Sequence, residues 1–115
     1  MSKFIKSSVP EYPGEVGLSD PLTLPQLNDW IDATSNAQIA ILANSKSAVA
    51  IYTAFLPGIL KCVDIWKLTG LPEHPAIDSF PASPAKRLRA TLALLSWLTT
   101  EIVVLQQDAE EIPNA

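Results

Sequence analysis

The 115-residue chain predicts an all-α fold: a small helical bundle of three to five helices preceded by an extended N-terminal arm. Three observations predict it. Prolines crowd two segments, Pro10 to Pro25 and Pro72 to Pro84, with Pro57 alone between them. Proline lacks a backbone donor and fixes φ, so the proline-free stretches are where regular structure can run. In those stretches apolar residues recur every three or four positions, the period of a helix with one buried face. Two of them also open on helix-start signals, Thr23 with Gln26 and Ser83 with Pro84. The expected organisation is an arm over residues 1–22, a helical domain over 23–107 and an acidic tail over 108–115.

The arm earns its extended assignment from Tyr12-Pro13-Gly14, a turn, and from Val16 and Leu18 alternating with Gly17 and Ser19. Strand pairing is open to it, but no second strand is evident. Thr23 and Gln26 stand three apart, a capping-box pattern, with Pro25 in the tolerant first turn. Leu24, Leu27, Trp30, Ile31 and Thr34 then form one apolar face, with Asn28, Asp29 and Asp32 opposite.

Residues 39–56 mix alanine, which favours helix, with Ile39, Ile41, Val49, Ile51 and Tyr52, which also suit strands. Helix is the expectation, because no Gly or Pro supplies a hairpin turn. Asn44 to Ser47 reads either as a turn or as a polar patch in a long helix. Pro57 is expected to end or kink that helix near Phe55. A further helix is expected over Ile59 to Thr69, carried by Ile59, Leu60, Val63 and Trp66, with Gly70 as its stop. A proline-rich connector anchored by Ile77 and Phe80 follows. The last helix has Ser83 as N-cap and runs to about Gln107, with Leu88, Leu92, Leu95, Ile102 and Leu105 as one stripe. Leu94, Trp97 and Leu98 widen that stripe beyond what one helix contact needs.

Composition narrows function. Hydrophobic residues make up 48% of the chain and charged residues only 17%, so apolar surface is expected to stay exposed unless a partner covers it. The longest uncharged run, Ser47 to Leu60, holds Pro57 and Gly58 and is shorter than the roughly 18 apolar residues of a spanning helix. Ala90 to Thr100 is shorter still, so no membrane partner is expected, and the N-terminus does not read as a secretory signal. Net charge is −4 and the eight basic residues are scattered apart from Lys86 to Arg89, which argues against nucleic acid. One cysteine, Cys62, excludes an internal disulfide and fits a reducing compartment.

No catalytic, cofactor or metal constellation stands out. His74 has no Cys or His neighbour at ligand spacing. Lys61 beside Cys62 could depress a thiol pKa, but the apolar surroundings suit a buried cysteine acting as a small hydrophobe. The candidate protein-interaction residues are Trp66, Trp97, Leu94, Leu98 and Trp30. Tryptophan is enriched at binding hot spots, and the competing reading is a core of three tryptophans.

The landmarks "YPG" at Tyr12, "DPLTLPQLNDW" from Asp20, "LPGILKCVDIWKLTGLPE" from Leu56, "SFPASP" from Ser79 and "WLTTEI" from Trp97, followed by "PN", span most of the chain. Their order resembles small phage and prophage proteins encoded among tail genes, in particular the tail assembly chaperones of long-tailed phages. The resemblance implies a mostly helical, non-enzymatic protein in the bacterial host cytoplasm. It implies binding to the long tape-measure protein until the tail tube forms; self-association as a homo-oligomer is also expected. The alternatives are a structural virion protein of the tail or head-completion type, and a small inhibitor of a host protein.

Overall fold

Residues 2–19 do not trail along a helical body; they fold back as two strands of a sheet. The computed structural model describes residues 2–43 and 47–110, the side chains of 108–110 excepted. In chain order the elements are β1 (Ser2–Lys6), β2 (Gly14–Ser19), α1 (Leu24–Leu42), α2 (Ala48–Cys62), β3 (Val63–Leu68), a short 3-10 turn (Ile77–Ser79) and α3 (Ala85–Glu110). The sheet is antiparallel in the order β1-β2-β3. The fold is therefore mixed α and β, not all-α: three helices are present, but the arm and the middle of the chain supply strands.

The expected helix over Ile59 to Thr69 is the main error. α2 runs on to Cys62, and the backbone turns extended at Val63 with no intervening loop. β3 then pairs with β2, Val16 opposite Trp66 and Gly14 opposite Leu68. Between Gly17 and Leu18 the register shifts, so that Leu18 pairs with Val63 and Asp64 has no counterpart. Such a bulge reverses which face the next residue meets. It puts Val63, Trp66 and Leu68 all inside, at intervals of three and two. The three-residue interval is what imitates a helical period. Gly70 does stop an element, but a strand: at φ 99°, a conformation glycine tolerates, it turns the chain after β3. The ladder continues one bond further, from the Thr69 amide to the Pro13 carbonyl at 2.9 Å.

α1 starts as the sequence indicates. The Thr23 side chain accepts from the Gln26 amide and Gln26 Oε1 accepts from the Thr23 amide, a complete capping box. The helix continues without a break to Leu42. Ser47 caps α2, its hydroxyl accepting from the Ala50 amide; Asn44 to Lys46, the rest of the polar stretch, lie outside the described residues.

Pro57 neither ends nor interrupts α2. Its missing N–H would have bonded the Thr53 carbonyl, and both residues face solvent, where water can replace that bond. Gly58 explains the pair. It is buried against α1, and a Cβ there would stand 2.8 Å from Ala33 Cβ and 2.9 Å from Trp30 Cε3. Glycine lets α2 approach α1 over the face of Trp30. The indole stacks on Phe55 with ring centroids 5.4 Å apart, and its N–H donates to Gln106 Oε1 of α3 at 3.0 Å.

α3 begins one residue later than expected. The Pro84 carbonyl, not the Ser83 side chain, takes the first helical bonds, from Arg87 and Leu88. The helix extends to Glu110, past Gln107 and into the expected tail; residues 111–115 lie outside the described residues. Its wide apolar face has two neighbours. One continuous core joins Leu94, Leu98 and Ile102 to Leu56 and Ile59 of α2 and to Val16, Leu18, Trp66 and Leu68 of the sheet. Tyr12 ties the hairpin to α3: Thr91 donates its hydroxyl proton to the Pro81 carbonyl at 2.9 Å, so the Tyr12 hydroxyl donates to Thr91 at 3.1 Å. Arg87 lies over the Tyr12 ring.

Gly58→Ala is expected to lower the unfolding free energy by about 1–3 kcal/mol, the range for overfilling a packed contact. Pro57→Ala, one residue away, is expected to raise it, because the helix regains a donor. Urea unfolding of the two variants separates these signs.

Candidate functional site

The five residues expected at an interface are mostly interior. Trp30, Leu94 and Leu98 are fully buried, and Trp66 is 6% exposed with its ring edge against Phe80 at 5.9 Å. Only Trp97 is half-buried. For Leu94 and Leu98 the reason is the sheet, Trp66 included, whose inner face shares their core; Trp30 is buried instead against Phe55 and Gly58 of α2. Trp30, Leu94, Leu98 and Trp66 are thus core residues of the folded chain.

The open apolar surface lies elsewhere. The sequence reading put Leu24, Leu27, Trp30, Ile31 and Thr34 on one face, and the structure splits that face. Trp30, Ala33 and Ala37 are buried, whereas Leu24 is 82% and Ile31 43% exposed. Leu24, Ile31 and Leu42 lie within about 20° of one another around the helix axis, an arc away from the buried one. Beyond Ala37 no residue of α1 is buried, and α2 buries none before Leu56. The far end of this helical pair therefore stands out from the core with Ile39, Ile41, Leu42 and Val49 exposed. The signal was present in the sequence: α1 carries apolar residues on two arcs, and one helix–helix contact uses only one.

Beside this end runs an apolar groove between α2, the 77–82 segment and α3. Val49, Tyr52, Leu56, Phe80, Leu92 and Leu95 line it around a cavity of about 110 Å³. Ile77, expected to anchor the connector, is instead 56% exposed on the groove's edge, while Phe80 does anchor it. The groove supplies shape and apolar contact, with Thr53 and Thr91 as its polar lining.

Cys62 and His74 do not form a catalytic pair. Cys62 is fully buried, its Sγ pointing to the Gln26 carbonyl at 3.9 Å. Desolvation first, then the charges of Asp29 and Asp64, push its thiol up to about 12. His74 is exposed in the loop after β3 and lines a separate shallow concavity with Trp66, Lys67 and Glu73. Among the described residues no three of His, Cys, Asp and Glu gather where they could hold a metal ion. Counted as a whole helix, Ala85–Gln107 is long and apolar enough to cross a membrane, which the shorter uninterrupted runs do not indicate. A core helix meets the same measure, and Leu94, Leu98 and Ile102 are buried in the core here.

No family model matches this chain, nor does any curated protein or solved structure.

The Cys62 thiol gives a signed pH effect. Its folded pKa lies above that of a free thiol, so the folded state holds a proton that the unfolded state loses. The stability this represents is complete below about pH 8.5–9 and falls by about 1.4 kcal/mol per unit as pH rises toward 12. Denaturant unfolding at pH 8 and pH 10.5 should show a larger loss for the native chain than for Cys62→Ala. Thiol reagents at pH 8 should label Cys62 only after unfolding.

Proposed function

We propose that this chain is a non-enzymatic assembly factor of the tail-assembly-chaperone kind, binding an apolar helical segment of a protein client such as a tape-measure protein. One observation carries the reading: an apolar groove opens between α2, the 77–82 segment and α3, beside a helical end that exposes Ile39, Ile41, Leu42 and Val49. Exposed apolar surface that continues into a groove is what a client helix needs for its own apolar face. The burial of Cys62, which keeps its thiol protonated at neutral pH, also favours a binding role over thiol chemistry.

The groove is the place to test it, because Val49 and Ile77 are exposed and their replacement leaves the core intact. Co-expressed with a tape-measure protein as client, the native chain should co-purify with it. Val49→Asp with Ile77→Asp should weaken the complex roughly 30-fold or more, the scale of losing a hot spot of about 2 kcal/mol. Circular dichroism should show unchanged folding. Retention of the chain in purified virions, without client binding, would replace the chaperone reading with that of a structural tail component.

A further inference from the structure

The bond from the Thr69 amide to the Pro13 carbonyl fixes the phase of the ladder between β2 and β3. Residues 13 and 69 continue the register that pairs Glu15 with Lys67 and Val16 with Trp66. Bonded and unbonded pairs alternate along an antiparallel ladder. Lys67 therefore turns its backbone groups to Glu15, and Trp66 and Leu68 turn theirs away from the sheet. The Leu68 carbonyl accepts from the Leu71 amide at 3.4 Å. The Trp66 N–H, the Trp66 carbonyl and the Leu68 N–H have no hydrogen-bond partner among the described residues. Both residues are nearly buried, and backbone groups in such places are almost always paired in a folded protein.

A concavity of about 250 Å³ lies along this edge, lined by Asp64, Ile65, Trp66 and Lys67 and by Glu73 and His74 of the following loop. Successive side chains of a strand alternate in face, so four in a row share a concavity only along the strand's edge. No residue of β2 lines it, which places it on the outward side of β3. Its charges are uneven. Lys67 extends over the Phe4 ring of β1, its ammonium 5.6 Å from the centroid, across the sheet and away from the edge. Asp64 meets the Ser2 hydroxyl at 3.4 Å. Among the described residues neither Asp64 nor Glu73 is in an ion pair, so two carboxylates stand free at the cleft.

We infer that this cleft takes an added β-strand, an extended cationic segment of a partner protein. The Trp66 and Leu68 amides donate to carbonyls of that segment, and the Trp66 carbonyl accepts one of its amides. A Lys or Arg of the segment meets Asp64 and Glu73. Charge also directs the segment to this edge and not to the other. β1 exposes Lys3 and Lys6, which repel a cationic strand. The inference goes beyond the groove reading and does not depend on it, since the groove takes a helix on a different side of the 77–82 segment.

Hydrogen exchange followed by NMR tests it, on the native chain alone and with a short blocked peptide of alternating valine and lysine. In the free chain the Trp66 amide should exchange faster than the Lys67 amide, which is bonded to Glu15. Saturating peptide should slow the Trp66 amide roughly tenfold or more, with shift changes confined to β3 and the loop after it. Methylating the peptide nitrogens that face β3 should abolish binding, which a purely electrostatic contact would survive. Glutamate in place of the peptide's lysine should weaken binding roughly tenfold, and so should Asp64→Asn with Glu73→Gln in the chain. Both chain positions are exposed, and thermal melts confirm that folding is retained. No binding at millimolar peptide, full binding of the methylated peptide, or shift changes centred on β1 would each overturn the inference. So would a Trp66 amide already protected in a free chain that sediments as a dimer, because a second copy would then hold the edge.

Discussion

The antiparallel ladder between β2 and β3 is the contact on which the rest of the molecule depends. It joins residues 14–19 to residues 63–68, far apart along the chain, and turns an N-terminal hairpin into a three-stranded sheet. A two-stranded hairpin has little stability of its own in water, and a third strand with one apolar face changes that. Val16, Leu18, Trp66 and Leu68 form that face and merge with α3 in one core. The ladder also accounts for the width of α3's apolar stripe, which serves helix α2 and the sheet together. Without β3, Leu94 and Leu98 would have had to find another chain.

α1 and α2 obey a second constraint, set by Gly58. Its lack of a side chain brings the two helices together over Trp30, whose indole then reaches α3 through Gln106. Close packing near the core leaves the opposite ends of the same helices without a third layer. The exposed Ile39, Ile41, Leu42 and Val49 there follow from the geometry of the pair as much as from composition. A charge division accompanies it: aspartates on α1, cations at the start of α3.

Local signals in the sequence were reliable where one turn decides the outcome. The Thr23–Gln26 box, the stop at Gly70 and the long last helix were all legible, because each is written in neighbouring residues; the turn expected at Tyr12-Pro13-Gly14 falls slightly earlier, closed by the Tyr12 amide on the Val9 carbonyl, and Gly14 already opens β2. β3 was not legible, for a physical reason. Its bulge at Asp64 breaks strict alternation, and Ile59, Val63 and Trp66 then match a helical period although the helix ends at Cys62. Missing β3 removed the partner of Val16 and Leu18, so the hairpin read as a loose arm and the class as all-α. The same misreading moved the candidate surface: Leu94 and Leu98 looked available because the sheet that covers them, with Trp66 in it, was unseen, while Trp30 is buried by α2 and α3. The groove formed by Tyr52, Phe80 and Leu92 joins three distant segments, and no local pattern announces it.

The sequence distance across that ladder has a consequence at the ribosome. β1 and β2 are made first, but their partner strand is not complete until residue 68. At synthesis rates of about 5–20 residues per second, that leaves the hairpin's apolar side uncovered for a few seconds, and longer while the exit tunnel still holds β3. During that interval Lys3 and Lys6, both exposed within the edge strand β1, put charge on that edge, which discourages pairing with a neighbouring nascent chain. The helical pair in between can assemble from local contacts alone, so it would stand ready as a platform when the last strand arrives.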